Sequence, residues 1–200
     1  MNLDNWQVFY KYNDVDRAIH NSVYVPYINA DKTVYCMDYS GASNFFFDNE
    51  VKWLEHIQHE SYAPELLEIN KKEKYITFKW YNTSINHLIF NHNFKSIDKV
   101  NNTLLQLEKQ NILKLNFFPH TCYVDSEQNI RTHDFYACAS ATSPLIEMEK
   151  IQGVLGNIQK FFYAKHESNG LVNLKSVYAE LINQNRGEWP QCLNTTLLTY

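Results

Sequence analysis

Leu115-Asn116-Phe117-Phe118-Pro119-His120-Thr121-Cys122-Tyr123-Val124-Asp125, followed by Ile130-Arg131-Thr132-His133-Asp134-Phe135-Tyr136, is the stretch whose reading decides the fold. Two runs rich in aromatic and β-branched residues flank the polar turn Ser126-Glu127-Gln128-Asn129, the signature of a β-hairpin. The first arm opens beside a proline-containing loop, and the second ends in an acidic residue next to a phenylalanine. Such a pair of arms can hold a metal-binding carboxylate against a catalytic loop, or can be an ordinary hairpin.

The surrounding 200 residues suffice for one domain or for two small lobes sharing a cleft. An apolar fraction of 44% supplies a sizeable core, and five Gly and five Pro leave little room for a disordered linker. The net charge of −4 is mild, and Lys and Arg are scattered, so no basic stripe points to nucleic acid. No run reaches the length of a membrane span, and the first residues lack the regions of a signal peptide. The four cysteines, Cys36, Cys122, Cys138 and Cys192, form no C-x-x-C pair and read as free thiols in a reducing compartment, which places the chain in the cytoplasm.

Outward from the hairpin the periodicities alternate. Ser22–Ile28 and Lys32–Tyr39 predict an antiparallel hairpin, with Pro26 placing the first strand at an edge or a bulge. Phe46 to Gln58 carries Phe47, Val51, Leu54, Trp53 and Ile57 at helical steps, with Ser43 or Asn44 as cap. Glu50 falls inside that apolar half. There it is either a solvated edge residue or a partner for a cation or backbone groups in a cleft. Glu65–Ile69 and Tyr75–Trp80 predict a second hairpin, Tyr81-Asn82-Thr83-Ser84 a polar break, and Ser84–Phe90 a short helix. A longer helix is predicted from Ser96 to about Asn111, with further helices over Leu145–Ala164 and Leu174–Asn185, so that the chain is expected to turn helical after Phe135. Strands first and helices later give an α+β class with a cleft at the break after Trp80.

That order resembles the protein kinase-like fold, in the small, stripped-down form that phage and viral chains carry. The resemblance covers roughly residues 20–165. Thr33–Asp38 looks like the third strand, with Met37 or a neighbour where the phosphate-binding lysine stands. Phe47–Val51 looks like the helix whose glutamate, here Glu50, pairs with that lysine, and Trp80-Tyr81-Asn82 looks like the hinge that meets an adenine. Leu115–Thr121 has the length of the H-R-D-x-x-x-x-N catalytic loop, and His133-Asp134-Phe135-Tyr136 resembles D-F-G. The resemblance implies a single domain over 1–200, with a β-rich N-lobe (about 20–80) holding one helix. It also implies a reduced, mainly helical C-lobe (84–200) that carries the catalytic-loop hairpin. ATP and Mg²⁺ are the cofactors implied. Glu50, Trp80, Tyr81, Asn82 and Thr121 would meet the nucleotide, Asp134 and Thr121 the metal, and Asn116 and Asp134 would be the catalytic pair.

The departures fall on the working positions. Asn116 replaces the base Asp, Thr121 replaces the metal-binding Asn, and no glycine precedes Gly41 to cover phosphates. An amide cannot accept a hydroxyl proton at neutral pH, and loss of the general base alone costs about 10²–10⁴ in rate. Two functions therefore stand: a pseudokinase-type module that binds a protein partner, and an Mg-ATP-dependent phosphotransferase acting on a small-molecule phosphoacceptor. His133, beside Asp134 on a strand, is expected to face the opposite way. His56-x-x-His59 reads as a surface pair. Zinc at His120, Cys122, His133 and Cys138 is not expected, because the spacing matches no zinc site.

Overall fold

Val34–Asp38 (β3) is the middle of the sheet and all but its ends are buried, as a Val-Tyr-Cys-Met run should be when neighbours cover both faces. In the computed structural model, which describes residues 5–9, 23–81, 97–117, 121–143, 151 and 166–184, the strands on either side are antiparallel to it. Trp6–Val8 (β1), Val25–Asn29 (β2), Leu66–Asn70 (β4) and Tyr75–Lys79 (β5) complete a five-stranded sheet in the order β1-β2-β3-β5-β4. Both predicted hairpins are present. Asn29 closes the first turn: its Oδ1 accepts the amides of Thr33 and Val34, each at 2.8 Å.

One expectation is corrected here. β2 is an interior strand rather than an edge, and Pro26 is tolerated for a different reason. Its carbonyl accepts from Phe9 N at 2.8 Å, so its missing N–H lies on the β1 side, just past the last paired residue of β1 and clear of the β3 ladder.

Asn44–Ile57 (α1) starts at Ser43, whose hydroxyl accepts from Phe45 N, and buries Phe47, Val51, Trp53, Leu54 and Ile57 as their spacing predicts. Ile97–Lys109 (α2) leads into Ile112–Lys114 (β6). Cys122–Val124 (β7) and Ile130–Thr132 (β8) form the hairpin, its turn held by Asp125 Oδ1, which accepts from Glu127 N at 2.9 Å and Asn129 N at 2.8 Å. Directly after Asp134 the described chain is not the expected helix, whereas the helix predicted over Leu174–Asn185 is present. A single 3₁₀ turn, Phe135–Ala137, passes into Cys138–Ser140 (β9), which pairs with β6. Glu167–Ser168 (β10), Leu171–Val172 (β11) and Leu174–Gln184 (α3) follow. The predicted helices at 84–90 and 145–164 lie outside the described residues apart from Ile151, and no helix among those described is long and apolar enough to cross a membrane.

Two sets of contacts fasten the sheet and α1 to the hairpin region. On one side Thr132 N donates to Tyr62 O at 2.9 Å and Arg131 Nη1 to Ala63 O at 2.7 Å. On the other, Asn49 Nδ2 donates to Tyr136 O and Cys138 O, each at 2.8 Å, and Trp53 Nε1 reaches Cys138 O at 3.0 Å. A polar stripe on α1 thus satisfies carbonyls that a 3₁₀ turn leaves open. Asn49→Ala leaves Tyr136 O without that donor and is expected to lower stability by about 2 kcal/mol in urea unfolding. Asp48→Ala, exposed on the same helix, should change it by less than about 0.5 kcal/mol. Equal effects would contradict the fastening role.

Candidate functional site

The site is organised by a backbone conformation. Asp134 has φ 67° and ψ 54°, left-handed, which a non-glycine residue adopts only with support from its surroundings. This turn breaks the alternation expected of a strand and corrects the expectation for His133. Instead of facing away, His133 Nδ1 lies 2.6 Å from Asp134 Oδ1. The Tyr24 hydroxyl donates to the same oxygen at 2.8 Å and lies 3.2 Å from the Tyr35 hydroxyl. Burial, then the charge of Asp134, pushes the Tyr24 and Tyr35 phenols well above their ordinary range, so both stay neutral.

Below Asp134, three residues of the quoted stretch interlock. Asn116 Nδ2 donates to Asp134 O at 2.8 Å, and the Thr121 hydroxyl to Asn116 O at 2.9 Å. Asn116, Thr121 and Asp134 are therefore brought together, all within 1% exposure. The residue that reading missed is Lys114. It is 0% exposed, and its Nζ donates to Asn116 Oδ1 at 2.7 Å, His133 O at 2.8 Å and Asp134 O at 3.1 Å. Two signals pointed to it: a lysine inside the apolar run Ile112-Leu113-Lys114-Leu115, and its place two residues before Asn116, where H-R-D has its His.

Glu50 resolves to the second of its two readings. It is 1% exposed, its Oε2 accepts from Tyr136 N and, at 3.3 Å, from the Tyr39 hydroxyl. It serves backbone and phenol groups of the same cluster. Burial, then repulsion from Asp134, raises its carboxyl to about 8, against the pull of the Phe135 amide and the Lys114 charge.

Above the cluster lie aromatic rings. Tyr35, on β3, stacks on Trp80 at 5.1 Å and 25° and lies 5.8 Å from His133, whose ring is also 5.8 Å from Phe78 and 6.1 Å from Tyr123. Phe9 closes the side, 5.9 Å from Tyr35 and 5.6 Å from Trp80. Met37, also inward and fully buried on β3, adds a thioether at the position compared with the phosphate-binding lysine. Of the three residues compared with a hinge, Trp80 uses its amide to bond Thr33 O at 2.7 Å, Tyr81 sends its hydroxyl to Glu65 Oε1 at 2.6 Å, and Asn82 lies outside the described residues. Pro119 and His120 lie outside them too, while His56 and His59 are both exposed. Cys36, Cys122 and Cys138 are buried thiols.

The raised Glu50 carboxyl gives a signed pH dependence. The folded protein binds this proton more tightly than the unfolded chain, whose value lies near 4.5. The contribution is therefore complete below pH 4.5 and is lost as pH rises through about 8, by at most about 1.4 kcal/mol per pH unit. Glu50→Gln keeps an oxygen for Tyr136 N and removes the titration. The difference in urea midpoint between wild type and variant should therefore shift in favour of Glu50→Gln between pH 5 and 8. Parallel profiles would show that Glu50 is not protonated in the folded state.

No protein family matches the chain, and no curated protein matches it. Among solved structures it is similar to monomeric WbdD (TM-score 0.53, 15% identity, covering 88% of this chain and 48% of that one). It is also similar to a structure of the bifunctional kinase–methyltransferase WbdD (TM-score 0.51, 13% identity, 97% and 50%). The chain spans about half the length of these structures. At such identity the likeness concerns the fold alone. With the antiparallel sheet, α1 and the hairpin in this order, it supports a kinase-like fold for this chain.

Proposed function

We propose that the chain is a pseudokinase-type binding module, a kinase-like scaffold that engages a protein partner and carries weak or absent phosphotransfer. The observation that supports this reading most is the filling of the space between β3, the hinge and Asp134 by the chain's own rings, with Tyr35 stacked on Trp80 and leaning over His133. A nucleotide base in that space would have to displace a fully buried tyrosine, which forfeits about 1.5–3 kcal/mol of burial before any contact with ligand is made. The polar groups point the same way. Asn116 uses both ends of its amide on Lys114 and Asp134 O, and Glu50 serves Tyr136 N. The Asn116 amide is not poised to accept a proton from an incoming hydroxyl, and Glu50 is held by the backbone rather than by a lysine.

The test is thermal unfolding with and without millimolar MgATP. A ligand at 100 times its Kd adds about 2.7 kcal/mol to the native state, which would raise Tm by several degrees. The binding-module reading predicts an unmoved curve. A rise that Asp134→Asn abolishes would overturn it in favour of a phosphotransferase with an atypical loop.

A further inference from the structure

Away from the Asp134 cluster, a groove of about 210 Å³ lies between α2, the turn of the β7–β8 hairpin and Ser61 in the link from α1 to β4. Lys99, Asn102, Thr103 and Gln106 line it at steps of three and four residues and so share one face of α2. The hairpin side contributes Asn129 and an apolar wall, Ile130, which is 4% exposed.

Internal bonds hold this lining and leave groups over for a ligand. Thr103, buried, donates its hydroxyl to Lys99 O at 2.9 Å. Lys99 Nζ donates to Gln128 O, one of the three bonds an ammonium can make. Gln106 Oε1 accepts from the Ser61 hydroxyl at 3.4 Å, which leaves its Nε2 as a donor. Asn129 Nδ2 donates to Asp125 Oδ2 at 3.4 Å and Glu127 Oε2 at 3.3 Å, which leaves its Oδ1 as an acceptor.

The lining selects among ligands. It holds three carboxamides, two hydroxyls and one ammonium, with no carboxylate and no aromatic ring. A carboxamide carries a donor and an acceptor side by side, the same pair that a peptide group presents, so it can bond an extended main chain. A nucleic-acid base would want a ring to stack on, and a phosphate group several converging cations. The volume is below the about 300–1,000 Å³ of sites that enclose a whole small molecule, so the groove suits a short length of chain laid across it. Its single charge, on Lys99, is complementary to a carboxylate.

We propose that this groove seats an extended segment of a protein partner that carries a Glu or Asp, with its main chain on Asn102 and Gln106 and its carboxylate on Lys99. This names the partner surface of the binding-module reading and rests on that reading. The two fail separately. A Tm raised by MgATP would remove the reading, whereas an unmoved Tm with no peptide response would remove the groove alone.

The test is an NMR titration of the full chain with a blocked alternating alanine–glutamate hexapeptide, its alanine–glutamine counterpart, and sodium acetate. The glutamate peptide at millimolar concentration should shift the side-chain amide signals of Asn102, Gln106 and Asn129. The glutamine peptide should bind about threefold more weakly, and so should the glutamate peptide to Lys99→Gln, the range of an exposed ion pair. Asn102→Asp, at an exposed position of α2, should weaken the glutamate peptide by repulsion without the loss of the Gln128 O contact that Lys99→Gln entails. Unshifted side-chain amides, equal binding of the two peptides, or an undiminished affinity in both variants would overturn the proposal. Equal shifts from acetate alone would overturn it too, in favour of a simple anion site.

Discussion

An ammonium group in a dry interior is tolerated only when each N–H meets an acceptor. At Lys114 the acceptors come from the two segments that must meet for this fold to close. Asn116 belongs to its own loop, whereas His133 and Asp134 are brought back by the hairpin. The three bonds therefore fix the register of β6 against the turn at 134, and the β6–β9 pairing continues from there, Lys114 opposite Cys138. The left-handed conformation of Asp134 follows from the same constraint, because both peptide carbonyls that point at Nζ flank it. From Tyr136 and Cys138 the connections run on through Asn49, Glu50 and Trp53 into α1, and so to the sheet.

Much of this frame was legible in the residues. Helical spacing gave α1 to within two residues, and the turn-forming residues between apolar runs located three hairpins. The order of these elements carried the resemblance to kinase-like proteins. Legibility failed where the local pattern was overruled from a distance. Cys138–Ser140 is too short and too small to announce a strand, and it exists because β6 offers it a ladder. Pro26 misled because an interior strand can carry proline where its neighbour has already ended.

The site shows the same division. That Asn116, Thr121 and Asp134 lie together is a matter of loop length, since that spacing is a property of the frame. The partners that occupy them are not. Tyr24, just before β2, reaches Asp134 across about a hundred residues of sequence, with Tyr35 of β3 hydrogen-bonded to it in turn, and nothing near them marks a phenol as a stand-in for solvent or ligand. His133 was misread because alternation assumes extended backbone, and a single residue in the left-handed region reverses it. Lys114 carried a visible signal, a charge inside an apolar run, whose meaning depends on acceptors that only the folded turn supplies.

The central claim is that this cluster is assembled in the ligand-free protein. Amide hydrogen exchange of the ligand-free protein tests it most directly, at Thr132, His133 and Tyr136, whose N–H groups donate to Tyr62 O, Thr121 O and Glu50 Oε2. A preassembled cluster predicts that these three amides exchange only through global unfolding, as slowly as those of the central strand β3. Exchange at the rate of an open loop, slowed only when nucleotide and metal are added, would contradict the account.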